Sequence, residues 1–128
     1  MYEKLRNEPY EQYLKSYRKN GKKIKYLPWF ASWDILKKYF PNSSYEWVKN
    51  DFDGKHMMGV FNPDGSFIIH CRITIHHKGV KYIHNEYMHT DDIKNEGASY
   101  VLLEYAFRKT LSKGISMMTG FGLEYWNK

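Results

Sequence analysis

The chain has one cysteine, Cys71, which excludes an intramolecular disulfide and a cysteine metal cluster. No stretch approaches the ~20 apolar residues that cross a bilayer. The N-terminus, MYEKLRNEPYEQ, lacks the apolar run of a signal peptide. The expectation is a protein of a reducing cytoplasm with no membrane partner. Also missing are a GxxxxGK[ST] phosphate loop, a GxGxxG turn after a strand and a GxSxG elbow. No nucleotide cofactor is therefore expected, and no catalytic motif calls for an enzyme. Acidic residues are in deficit, with 14 Asp and Glu against 20 Lys and Arg.

What is present is charge and aromatic surface. The net charge is +6 and aromatic residues make up 18% of the chain; cations attract phosphate and aromatic faces stack on bases. Together they point to a nucleic-acid binder. At 128 residues the chain fits one domain that can bury its own core. The positive excess sits early: residues 1–29 carry eight Lys and Arg against three acidic residues. Arg18, Lys19, Lys22, Lys23 and Lys25 flank Asn20-Gly21, a strong turn signal. This run reads either as a solvated basic loop or as an arm that tracks a phosphate backbone.

Periodicity supplies the elements. Tyr10, Tyr13, Leu14 and Tyr17 recur at helical spacing and predict a helix over 8–19. A second helix is predicted over Pro28–Phe40, with Trp29, Trp33, Leu36 and Phe40 on one face and Pro41 as its stop. Strands follow at Ser44–Lys49 and His56–Phe61, with turns at Asp53-Gly54 and Asn62-Pro63-Asp64-Gly65. In Phe67–His76, Phe67, Ile69, Cys71, Ile73 and Ile75 point one way, and Ile68, His70, Arg72, Thr74 and His76 the other. His77-Lys78-Gly79 turns the chain into Val80–His89. After a polar loop over 90–97, a helix is predicted from Ser99 to Thr119. Its buried face is Leu103, Phe107, Leu111, Ile115 and Met118, and Gly120-Phe121-Gly122 ends it. The fold class is α+β: an antiparallel hairpin sheet packed by a long C-terminal helix, a β-β-β-α core, with N-terminal helices. Residues 1–25 form a basic helix or arm and 26–128 the core domain.

Cys71 lies on the apolar face of its strand and reads as inert core. Of the six histidines, His70 and His76 share a strand face, but nothing in the spacing forces three ligands onto a metal. Three alternatives remain open at this stage. One is an RNA- or duplex-binding module. Another is a small metal-dependent nuclease using His70, His76 and Asp91 or Asp92. The third is an interaction protein using the Tyr10/Tyr13/Tyr17 stripe.

Two blocks carry a family resemblance. Tyr26-Leu27-Pro28-Trp29, then Trp33, Tyr39, Pro41 and Ser44-Tyr45-Glu46, resembles the opening motif of phage single-strand annealing proteins of the Sak-like branch, distantly similar to the eukaryotic recombination mediator Rad-fifty-two. Near the end, Arg108–Ile115 followed by Gly120-Phe121-Gly122-Leu123 resembles the family's final helix and its Gly-Leu-Gly-Leu exit. The resemblance spans about residues 24–126. Pro28 stands where the family usually has Ser. Ser116 and Met117 stand where the eukaryotic relative has adjacent basic residues, so that contact is not carried over. The family's acidic, variable tail is expected to be absent here or to belong to a longer parent.

The resemblance implies ATP-independent binding of single-stranded DNA and annealing of complementary strands in phage recombination, without catalysis or cofactor. It also implies assembly into a ring or helical filament, a host single-strand-binding protein as a further partner, and a bacterial host cytoplasm as the location. The expected backbone contacts are Arg72 on the polar strand face, Lys81 on its hairpin partner, and Arg108, Lys109 and Lys113 on the long helix. Lys22, Lys23 and Lys25 form a flanking clamp. The bland counterparts are a cross-strand Arg72–Glu86 pair and pairing of Arg108 or Lys109 with Glu104.

Overall fold

A computed structural model of the chain describes residues 1–48, 59–61, 67–89 and 100–126. In chain order these form α1 (Glu3–Asn7), a single 3₁₀ turn (Tyr10–Tyr13), β1 (Lys15–Lys19), β2 (Lys22–Tyr26), α2 (Trp29–Tyr39), β3 (Ser43–Trp47), β4 (Gly59–Phe61), β5 (Phe67–His77), β6 (Val80–His89), α3 (Tyr100–Thr119) and α4 (Leu123–Trp126). The predicted turns at 53–54 and 62–65, the start of the predicted strand at 56 and the loop at 90–97 lie outside the described residues, as does the side chain of Leu103.

The alternation read in the sequence forms β5, the strand around which the main sheet is built. Ile69, Cys71, Ile73 and Ile75 have no exposed surface, as a strand with one covered face requires. β6 follows one edge of β5 in unbroken antiparallel register, from Ile68 opposite His89 to His77 opposite Val80. β3 and β4 share the other edge, β3 beside Cys71–Ile75 and β4 beside Phe67–Ile69. The β5–β6 turn is Lys78-Gly79, with φ of 51° and 76°, the two-residue geometry whose twist matches the strands it joins.

α3 covers the buried face of the sheet. Leu111 and Ile115 are buried there, as expected. Phe107 and Met118 are only half-buried, while Ala106, Thr110, Ser112, Ser116 and Thr119 are buried. The difference has a physical reason. α3 lies between the sheet and α2, so it needs small residues on a second face. Ser32 Oγ of α2 and Ser112 Oγ of α3 meet at 3.1 Å, both buried. On the sheet side Gly114 allows the close approach: a Cβ there would stand 2.8 Å from Ile73 Cδ1 and 3.0 Å from Glu86 Cβ. α2 is likewise rotated from the expected face. Leu36 and Phe40 are buried, but they share the core with Ala31, Ser32 and Ile35, leaving Trp29 and Trp33 half-exposed.

The N-terminal third corrects the sequence reading. Residues 8–19 are not one helix: the single turn at Tyr10–Tyr13 gives way to β1, and β1 pairs with β2 through Asn20-Gly21. Both turn residues have positive φ, 54° and 77°, and Asn-Gly is the strongest short hairpin signal. The two-residue period of Lys15, Tyr17 and Lys19 against Lys22, Ile24 and Tyr26 therefore prevails over the helical spacing of the tyrosines. Those tyrosines separate: Tyr10 and Tyr13 pack on the core, while Tyr17 is exposed on the hairpin. The basic run is a pair of strands rather than a loop.

Leu5 is fully buried in the core, and Glu8 ties the same segment to α2. Glu8 accepts hydrogen bonds from the Tyr39 hydroxyl at 2.9 Å and the Tyr13 hydroxyl at 3.0 Å, with Lys38 Nζ 4.0 Å away. The Tyr39 hydroxyl first, then Tyr13, holds its carboxyl below the ordinary range.

Two outcomes follow. Gly114→Val should destabilise the fold by about 2 kcal/mol in urea unfolding, because overpacking outweighs the better helix propensity of Val; an unchanged midpoint would mean that α3 does not sit this close to Ile73. Glu8 has a folded pKa below its unfolded value of about 4.3, so its contribution is complete above that pH and lost as pH falls through the folded value. Glu8→Gln should therefore weaken the protein near neutrality and reduce the further loss on acidification towards about pH 3, read from unfolding midpoints across the series.

Candidate nucleic-acid interface

A groove of about 400 Å³ opens where four parts of the chain meet. The β1–β2 hairpin supplies Tyr17 and Tyr26; the start of α2 and the residues before it supply Leu27, Pro28, Trp29 and Phe30. α3 supplies Arg108, Lys109 and Ser112, and α4 supplies Tyr125 and Trp126. Pro28 sets the entry to α2: it occupies the N-cap with φ −64° and ψ 141°, so the chain runs extended up to Trp29 and swings Leu27 into the core. Gly120 and Gly122, both at positive φ, reverse the chain after α3. That reversal buries Phe121 completely and brings α4 back to the groove.

The groove is both aromatic and cationic. The Arg108 guanidinium lies over the Trp29 ring at 5.9 Å, and Lys15 Nζ over Phe30 at 5.0 Å. Tyr17 and Tyr26 meet edge to face at 5.7 Å. Trp126 Nε1 is buried and has no hydrogen-bond partner among the described residues. Flat rings beside fixed cations are what unpaired bases and their phosphates require.

The hairpin adds charge that its own pairing does not neutralise. Residues 15–26 hold six Lys and Arg and no acidic residue. Arg18 stands opposite Lys23 and Lys19 opposite Lys22, and like charges set directly across a strand pair destabilise it. All five residues of β1 are exposed.

The expected contact residues divide among several surfaces. Arg108 and Lys109 come together in the groove. Lys22 shares the hairpin face of Tyr17 and Tyr26, whereas Lys23 and Lys25 share the opposite face with Arg18, by the alternation of the strands. Lys113 is half-buried one turn beyond Lys109 and is not part of the groove wall. Arg72 and Lys81 lie elsewhere, on the face of the sheet away from α3. Arg72 does not pair with Glu86. Its Nη1 donates to Glu46 Oε1 at 2.8 Å and its Nε to Asn85 Oδ1 at 3.3 Å, because Glu46 and Asn85 are the residues directly opposite. Glu86 is one residue out of phase, on the α3 side, where its Oε1 contacts His84 Nε2 at 3.0 Å.

Of the groove aromatics, Tyr26 and Trp29 stand in the Tyr-Leu-Pro-Trp motif, but the sequence alone did not place them at a binding surface; their meeting with Arg108, Tyr125 and Trp126 depends on the glycine reversal after α3. Cys71 is sealed in the core: burial first, then the charges of Glu86 and Glu46, push its thiol up to about 12. His70 is engaged with Asn85 Oδ1 at 2.8 Å. Asp91 and Asp92 of the metal-dependent alternative lie outside the described residues. Among the described residues no three His, Cys, Asp or Glu side chains gather as a metal would need.

Replacing Lys23 with Glu should turn the repulsion from Arg18 into attraction. At low salt the variant should gain about 0.5 kcal/mol in chemical unfolding, and the gain should shrink in about 1 M salt as the charges are screened. A salt-independent effect would contradict the electrostatic account of the hairpin.

A family model described as Sak Single Strand Annealing Protein matches residues 2–127. No curated protein and no solved structure gives a significant match to the chain.

Proposed function

The chain belongs to the Sak single strand annealing proteins, and from that membership we propose that it binds single-stranded DNA in the aromatic groove and anneals complementary strands without ATP. The observation that carries the reading is the convergence of Arg108 and Lys109 with Tyr17, Tyr26 and Trp29, beside a hairpin that holds cations alone.

Annealing needs no fuel, because each stacked base-pair step returns about 1.4 kcal/mol. Two obstacles stand in the way: repulsion between two phosphate chains, and structure within each strand. Arg108, Lys109 and the hairpin lysines lower the first by replacing the counterions of the phosphate chain. Stacking on the groove rings lowers the second by holding bases apart from one another while their edges remain free to pair. Arg108 also lies over the Trp29 ring at 5.9 Å, so cation and ring hold each other at the groove wall. No bond is made or broken by the protein, and the reading is of a non-catalytic binder acting in phage recombination.

A groove of this size takes only a few nucleotides. An oligomer, as a ring or a filament, would align successive grooves so that a strand is held long enough to test its complement. A host single-strand-binding protein would then be the source of the strand.

The test is binding of a fluorescent oligonucleotide across a salt series, without ATP or divalent metal, followed by addition of the complement. Tight, salt-sensitive binding and faster pairing are expected. Arg108→Ala with Lys109→Ala should weaken binding and lower the salt slope by about 0.7 for each phosphate that is no longer neutralised, with the circular dichroism spectrum unchanged. Equal affinity and equal slope in the variant would remove the groove from the site; binding without faster pairing would leave a single-strand binder that does not anneal.

A further inference from the structure

We propose that the open face of the four-stranded sheet is a second site for single-stranded nucleic acid, which stacks bases on the His70–Tyr87 pair; the inference rests on the reading of the chain as a single-strand binder. Strand alternation sets this face on the side of the sheet away from α3 and the groove. Among the described residues no element covers it: Tyr87 is 54% exposed and Ile83 49%.

Its polar centre is already ordered. His70 and Tyr87 are opposite in register, and their rings stack at 4.3 Å with planes 25° apart. A further flat ring laid on this pair would continue a stack that exists before any ligand arrives, so little freedom is lost on binding. His70 Nε2 and Arg72 Nε both approach the same atom, Asn85 Oδ1. The amide nitrogen of Asn85 is thereby turned away from them, with hydrogens suited to a base edge. Glu46 holds the other end of Arg72. Lys81 stands opposite His76 towards the turn, one cationic end for a phosphate chain that passes the stacked rings.

The charge favours nucleic acid over a second copy of the chain. The face carries Arg72 and Lys81, with Glu46 the one carboxylate among its described residues. With Arg72 held by Glu46, Lys81 leaves the strip with a net positive balance, which a polyanion meets with opposite charge and a second copy of the same strip does not. The groove and the open face lie on opposite sides of the sheet, so one subunit can hold two separate stretches of strand.

The experiment is photocrosslinking of an oligothymidylate carrying 5-iodouracil, with adducts mapped by mass spectrometry, alongside the binding stoichiometry of the same oligonucleotide. The wild type should give an adduct at Tyr87 as well as adducts in the groove. Tyr87→Ala should lose the Tyr87 adduct and halve the number of strands bound per protomer, while affinity at the groove stays within about twofold. Tyr87→Phe, which keeps the ring, should behave as wild type. The adduct at Tyr87 should survive in Arg108→Ala with Lys109→Ala. Groove adducts alone, with unchanged stoichiometry in Tyr87→Ala, would overturn the inference and leave the groove reading standing. Loss of all binding in the wild type would overturn both. Burial of Tyr87 by self-association, seen as concentration-dependent protection from iodination without nucleic acid, would assign the face to a second copy and also overturn it.

Discussion

The contact between the buried stripe of β5 and α3 is the constraint on which the rest depends. Ile69, Cys71, Ile73 and Ile75 project from one face of a central strand, and α3 must cover them. It can do so closely only because Gly114 presents no side chain to Ile73 and Glu86. That approach fixes the height of α3 above the sheet. The height in turn sets where α2 packs, through Ser32 and Ser112. Arg108 and Lys109 leave α3 next to this contact, so their position beside Trp29 follows from core packing.

The groove is thus assembled from parts that are structurally unequal. α2 and α3 are rigid by burial. α4 is held by the burial of Phe121. The hairpin differs: its two strands pair with each other and, among the described residues, with no third strand, and isolated two-stranded ribbons are marginal in water. Its cross-strand cations weaken it further. An anionic strand would relieve that repulsion, so on the proposed reading strand binding would also order the hairpin.

Much of this was legible in the sequence where one period dominates. The β5–β6 hairpin, α2 and α3 were evident as elements because alternation, helical spacing with a proline stop, and helical spacing with a glycine exit each admitted one reading. The N-terminal segment was not, since Tyr10, Tyr13 and Tyr17 fit a helix while Lys15–Lys19 fits a strand. The Asn-Gly turn, where both residues take positive φ, decides between them. The eight expected DNA-contacting residues rest on charge, and charge does not encode the face on which a residue falls. Arg108 and Lys109 meet the aromatics, while Arg72 and Lys81 are carried to the other side of the sheet. Glu46 became the partner of Arg72 through the register of β3, which no local pattern in the chain displays.

The central claim is that single-stranded DNA is held between the hairpin and the start of α2. Amide hydrogen exchange of the whole protein, with and without a single-stranded oligonucleotide at low salt, tests it most directly. The account predicts rapid exchange over residues 15–30 in the free protein and marked slowing there when the strand is bound, reversed by high salt. Exchange over residues 15–30 that is unaffected by a strand shown to be bound would contradict it.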